Sequence, residues 1–129
     1  MKRKAKYGLL TVLLLVGLYF VLRFAFGFFT PFNFWTACQD IKSGKVQFVE
    51  IGELLPHTEQ KRHLANAYGF DLYFFGCVVS TDIMNGVKYY NQTMVDHLEK
   101  KFGNGWQAKF QMQLDSIDSM NEMNLMIKK

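Results

Sequence analysis

Tyr68-Gly69-Phe70-Asp71-Leu72-Tyr73-Phe74-Phe75-Gly76-Cys77-Val78-Val79-Ser80 is the stretch whose reading decides the fold. Over residues 72–79 both alternating sets of side chains are apolar apart from Gly76, and successive strand residues face opposite sides of a sheet. The run therefore predicts a strand covered on both faces, at the centre of a small core.

Upstream, residues 46–51 (Val46-Gln47-Phe48-Val49-Glu50-Ile51) are rich in β-branched and aromatic side chains and read as a second strand, after a turn at residues 40–45. Between the two, Thr58 can cap a helix over residues 58–68, with Leu64, Ala67 and Tyr68 facing inward and Gly69 as a left-handed stop. Strand, helix and strand in this spacing make a βαβ unit with parallel strands. Downstream, Asn85-Gly86 opens a helix with Val87, Tyr90, Met94, Leu98 and Phe102 on one stripe. Residues 103–105 break it. A last helix starts near Trp106, carries Phe110, Leu114 and Ile117, and fades into the Met-rich residues 120–129. The expected fold class is α+β: an N-terminal transmembrane helix, a βαβ unit and two C-terminal helices. Two strands make a marginal sheet, so a third is expected from residues 32–38, from the tail, or from another chain.

The formal charge of +4 divides unevenly along the chain. Lys2, Arg3, Lys4, Lys6 and Arg23 carry five of the fifteen basic residues, and the first 23 positions hold no acid. From residue 24 onward ten basic residues face eleven acidic ones, so the exported part lacks the basic face that phosphate binding needs, and nucleic acid is set aside. Residues 1–6 form a basic cytoplasmic tail. Residues 7–22 carry no charge, and with Arg23 snorkelling the apolar surface continues to Phe29, giving a 23-residue anchor over residues 7–29. Phe32, Phe34 and Trp35 suit a membrane interface and make residues 30–39 a juxtamembrane linker before a domain at 40–119. Three fates compete for the N-terminus: an uncleaved anchor, cleavage after Ala25-Phe26-Gly27, and lipidation at Cys38. Each of them exports the rest of the chain, with the basic cluster held in the cytoplasm.

Cys38 and Cys77 are the whole cysteine complement. In an oxidising compartment the simplest reading is a structural disulfide between them, closing a loop of about 40 residues and worth about 3–4 kcal/mol. The sharper one is a redox thiol at Cys77, which lacks CxxC spacing and would be inert in an apolar strand. His57, His63 and His97 have no partner at metal-ligand spacing and read as solvated helix residues. Met120, Met123 and Met126 recur every third residue; thioethers suit Cu(I), but the ordinary reading is an apolar ridge on a fraying helix. Asn91-Gln92-Thr93 matches the N-glycosylation triplet. No catalytic motif, phosphate-cradling loop or cofactor signature is present, and the aromatic residues are numerous enough that some could form an exposed patch for a partner.

Asp40-Ile41-Lys42 with Gly44-Lys45-Val46, then Tyr68-Gly69-Phe70, Gly76-Cys77, Tyr90-Asn91, and Gly103 with Trp106 resemble the small exported bacterial FEKKY-domain proteins, over about residues 40–115. That resemblance implies a bacterial envelope protein and no assigned reaction. The resulting expectation is a non-enzymatic protein of the bacterial inner membrane, single-pass with its N-terminus inside, whose exported domain binds a protein partner or itself. Thiol chemistry at Cys77 and copper binding at Met120, Met123 and Met126 are the alternatives.

Overall fold

A computed structural model describes residues 2–52 and 57–127. Among the described residues the chain forms five helices and two short strands: α1 (Lys2–Phe26), α2 (Phe34–Lys42), β1 (Gln47–Glu50), α3 (Thr58–Ala67), β2 (Asp71–Phe74), α4 (Thr81–Phe102) and α5 (Trp106–Ile127). The architecture is mixed but dominated by helix.

α1 is long and apolar enough to cross a membrane, with 23 residues qualifying from Lys4 to Phe26 and none of the apolar window buried. It is helical from Lys2 and stops at Phe26, three residues before the expected end. Gly27 then adopts φ +60, a left-handed conformation that ends helices.

The segment expected to be a linker, and offered as a third strand, is instead the helix α2. Its start is fixed by a capping box: the Asn33 side chain accepts from the Thr36 N–H at 3.1 Å, and Thr36 Oγ1 accepts from the Asn33 N–H at 2.9 Å. The expected turn at residues 40–45 shrinks to Ser43-Gly44, where Gly44 has φ +81.

β1 and β2 pair in parallel, Gln47 opposite Asp71 through Glu50 opposite Phe74, and α3 connects them as the expected βαβ unit. α3 closes where the sequence indicates, at Tyr68 with Gly69 at φ +81. β2 is half the expected length. The Phe75 N–H still donates to the Glu50 carbonyl at 2.9 Å, and one antiparallel bridge joins Gly52 to Gly76, but β1 offers no further ladder. Gly76 turns away at φ +93 and Val78 is 97% exposed. Nor is β2 covered on both faces, since Leu72 is buried while Tyr73 is exposed.

The outer edge of β1 is closed from within. The Asn91 side chain on α4 accepts from the Val49 N–H and donates to the Val49 carbonyl, both at 2.9 Å, making the two bonds a neighbouring strand would make. α4 starts at Thr81, a turn earlier than expected, with Ser80 as the N-cap residue and Asp82 in its first turn. Of its expected stripe, Val87, Tyr90, Met94 and Leu98 are buried while Phe102, in the last turn, is exposed, and Gly103 ends the helix at φ +78. α5 continues as helix to Ile127 instead of fading at Met120.

Two apolar clusters hold the domain together. Ala37, Val49, Val87, Tyr90 and Met94 form one; Ala65, Phe70, Leu72, Leu98 and Trp106 form the other. Aromatic edges knit the second, with Phe70 5.0 Å from both Phe48 and Phe110. Most of the aromatic excess is thus absorbed by the core.

Candidate functional site

Three features of the structure bear on function: the joint between anchor and domain, a cavity under the sheet, and the exposed end of α5. The joint is built from the last turn of α1 and the first turns of α4. Residues 82, 85, 86 and 89 lie on one face of a helix, since neighbours three and four apart share a face. Arg23 Nε lies 3.2 Å from Asp82 Oδ2, and Asn85 Nδ2 donates to the Phe24 carbonyl at 2.7 Å. The second contact satisfies a carbonyl that the end of α1 leaves without a helical partner. The Phe26 and Tyr89 rings stand 5.6 Å apart. Between these contacts Gly27 and Gly86 meet backbone to backbone, and a Cβ on either would overlap the opposing segment.

Below the joint, Asn33 donates to the carbonyls of Phe28 at 2.9 Å and Thr30 at 2.7 Å, while Thr30 Oγ1 donates to Phe32 O at 2.8 Å. The chain from α1 to α2 is therefore a hydrogen-bonded turn. Asp82 is buried, and its carboxyl is held below the usual range, first by the Ser80 hydroxyl and further by the Ile83 amide and Arg23, against the opposing effect of burial. Arg23, expected to reach for headgroups, is turned onto the domain. The uncharged run of α1 before it, residues 7–22, rises about 24 Å, and the stem of flanking Lys6 can help make up the difference to a core of about 30 Å.

A second polar constellation lies inside the first cluster. Tyr90 Oη donates to Asp40 Oδ2 at 2.5 Å and accepts from Gln47 Nε2 at 3.1 Å, tying α4 to α2 and β1. Burial and the Asp40 carboxylate push the Tyr90 phenol well above the usual tyrosine range. With Tyr90 fully buried and its hydroxyl both donating and accepting, this network holds the core together.

The cavity lies between the sheet and α5, has a volume of about 240 Å³, and is walled by Phe48, Phe70, Leu72, Trp106, Phe110 and Leu114. Glu50, Asn91, Gln107 and Gln111 supply its polar lining. Trp106 is 5% exposed, and its buried indole N–H has no acceptor among the described residues. From the sequence Trp106 starts a helix and belongs to the aromatic set expected in the core; no spacing marks its indole N–H.

The expected Cys38–Cys77 disulfide is not formed. Cys77 lies beyond the end of β2 in an exposed loop, not in a buried strand, and Cys38 sits half-buried on α2. Cys38 lines a groove of about 360 Å³ with His97, Asp96 and Lys100 of α4, a juxtaposition across 59 positions that no local motif announces. His57 packs at the start of α3, with Nε2 2.9 Å from Asp118 Oδ1 of α5, while His63 is exposed and His97 half-buried. Among the described residues no group of three or more His, Cys, Asp or Glu could hold a metal. Met120, Met123 and Met126 are exposed on α5, as is their neighbourhood at Leu125 and Ile127. Asn91 of the glycosylation triplet has its amide engaged by Val49 in mid-helix, which leaves no free acceptor nitrogen.

Compared with known protein families, curated proteins and solved structures, the chain matches no family model, no curated protein and no solved structure.

Proposed function

We propose that this chain is a single-pass protein of the bacterial inner membrane, with its N-terminus inside and a small non-enzymatic domain outside that binds a protein partner or a second copy of itself. The exposed apolar end of α5 carries this reading. Its inner stripe packs toward α3, where Lys61 pairs with Asp118 at 3.1 Å and Asn121 donates to Gln60 at 2.9 Å. Met120, Met123, Leu125, Met126 and Ile127 are each more than half exposed, and clustered apolar side chains of this kind mark contact surfaces, where Met adapts readily to varied partners. Asn91 occupies the outer edge of β1, which moves the proposed contact away from the strand and onto the helix. The basic cluster at the start of α1 supports the orientation. The FEKKY-domain resemblance adds the bacterial envelope and assigns no reaction.

The test is crosslinking in native membranes from photoreactive residues placed at Met120, Met123 and Met126, with mass spectrometry of the products. A discrete adduct with one protein, or a dimer, is the expected result. Monomer alone from all three positions would overturn the reading.

A further inference from the structure

The joint between α1 and α4 sets how far the domain stands from the bilayer. Resting on the reading above that α1 spans the membrane, we infer that the turn after α1 (residues 27–33) and the loop before α4 (residues 75–80) form a shallow foot buried among the phospholipids of the outer leaflet.

The direction of α4 carries the inference. Its contacts climb in step with α1: Asp82 meets Arg23, Asn85 meets the Phe24 carbonyl, and Tyr89 meets Phe26. α4 therefore runs away from the membrane, and its N-terminal end is the membrane-side end. Twenty helical residues rise about 30 Å, so a hydrocarbon core that begins at Tyr7 ends near Phe26. Arg23 then lies about one turn inside that boundary, and its partner Asp82 sits at the same depth. The loop that enters α4 through Ser80 is held at this level. Its Val78 is almost wholly exposed, and Met84 in the first turn of α4 is more than half exposed.

The turn after α1 reaches the same depth independently. At Gly27 the chain reverses: the Phe28 N–H donates to the Leu22 carbonyl at 3.1 Å, and the Phe29 ring stands 5.1 Å from that of Tyr19. Phe29 is thus more than half exposed beside the uncharged part of α1. The chemistry of both segments suits lipid. Residues 24–39 and 72–81 contain no charged side chain. The Phe28 and Thr30 carbonyls both accept from Asn33, and the Gly27 carbonyl accepts from Thr30, so these backbone groups need no water at the edge of hydrocarbon. Exposed apolar side chains continuous with a membrane span mark the surface that lipid covers.

The experiment uses the full chain with Trp35→Phe, whose remaining tryptophan is Trp106, in phosphatidylcholine vesicles with acyl chains brominated near the headgroup end or near the tail end. Bromine quenches a tryptophan that it touches. Added to this parent, Val78→Trp should lose more fluorescence to headgroup-end bromines than to tail-end ones, and Phe29→Trp should be quenched by both. Leu15→Trp, in mid-span, should lose more to tail-end bromines. Phe102→Trp, about 30 Å along α4 from Asp82, should stay at the parent level. If Leu15→Trp is quenched while Val78→Trp or Phe29→Trp stays at the parent level, the foot is overturned and the anchor stands. Phe102→Trp quenched as strongly as Val78→Trp also overturns it, since any exposed tryptophan would then report lipid. An unquenched Leu15→Trp removes the anchor and the foot with it.

Discussion

Gly27 meets Gly86 so closely that a methyl group on either residue would overlap the backbone of the other's segment. One residue follows the last turn of α1 and the other sits in the second turn of α4, so the pair fixes how α1 joins the domain. Arg23–Asp82 and Asn85–Phe24 flank the contact and align it.

Gly86→Ala should destabilise the joint by about 1–3 kcal/mol, the usual cost of forcing a methyl into a filled space. Its backbone is ordinary helix, so the effect is steric, against Thr30, Phe32 and Gly27. Gly17→Ala, in the same anchor but with nothing within 4 Å, is the matched control and should be neutral or slightly stabilising. Thermal unfolding in detergent micelles separates the two; equal melting temperatures would remove the joint from the account.

Asn91→Ala should cost about 2–4 kcal/mol, because it leaves both the N–H and the carbonyl of buried Val49 without partners. Hydrogen exchange provides the site-specific reading. Protection of the Val49 amide should fall much more than that of the Leu98 amide in the same variant, whereas a uniform loss would count against a local edge cap.

Tyr90 makes a pH dependence. Its folded pKa lies above the unfolded value of about 10, so the folded chain keeps a proton that the unfolded chain releases. The stabilisation is complete below about pH 10 and is lost as pH rises toward the folded pKa. Tyr90→Phe should lower stability near neutrality by about 1–2 kcal/mol through the unpaired Gln47 and Asp40 groups, and should flatten the decline above pH 10. Parallel pH profiles for the two proteins would contradict this assignment.

Much of this arrangement was legible because it is local. The stripe Val87, Tyr90, Met94 and Leu98, the stop at Gly69 and the order strand, helix, strand all rest on short-range periodicity and glycine chemistry. The apolar run 72–79 misled because strand length depends on the partner, and β1 ends at Glu50. α2 was hidden among aromatics, although Asn33 and Thr36 held the capping-box pattern. Ser80-Thr81-Asp82 likewise signalled the start of α4 earlier than Asn85-Gly86. The Gly27–Gly86 joint, the Asn91 edge cap and the orphaned Trp106 donor connect distant positions, and no spacing rule reaches them.

Both thiols should react with maleimide without prior reduction, exposed Cys77 faster than half-buried Cys38. Labelling followed by mass spectrometry gives two adducts on this account. A pair that becomes reactive only after reductant would restore the disulfide.

The central claim is that the anchor belongs to the folded domain, with Gly27 buried against α4 where cleavage after Ala25-Phe26-Gly27 would have to occur. Intact-mass spectrometry of the chain purified from bacterial membranes tests it most directly. The account predicts one species at the full 15.0 kDa. A shorter species beginning at Phe28 would contradict it.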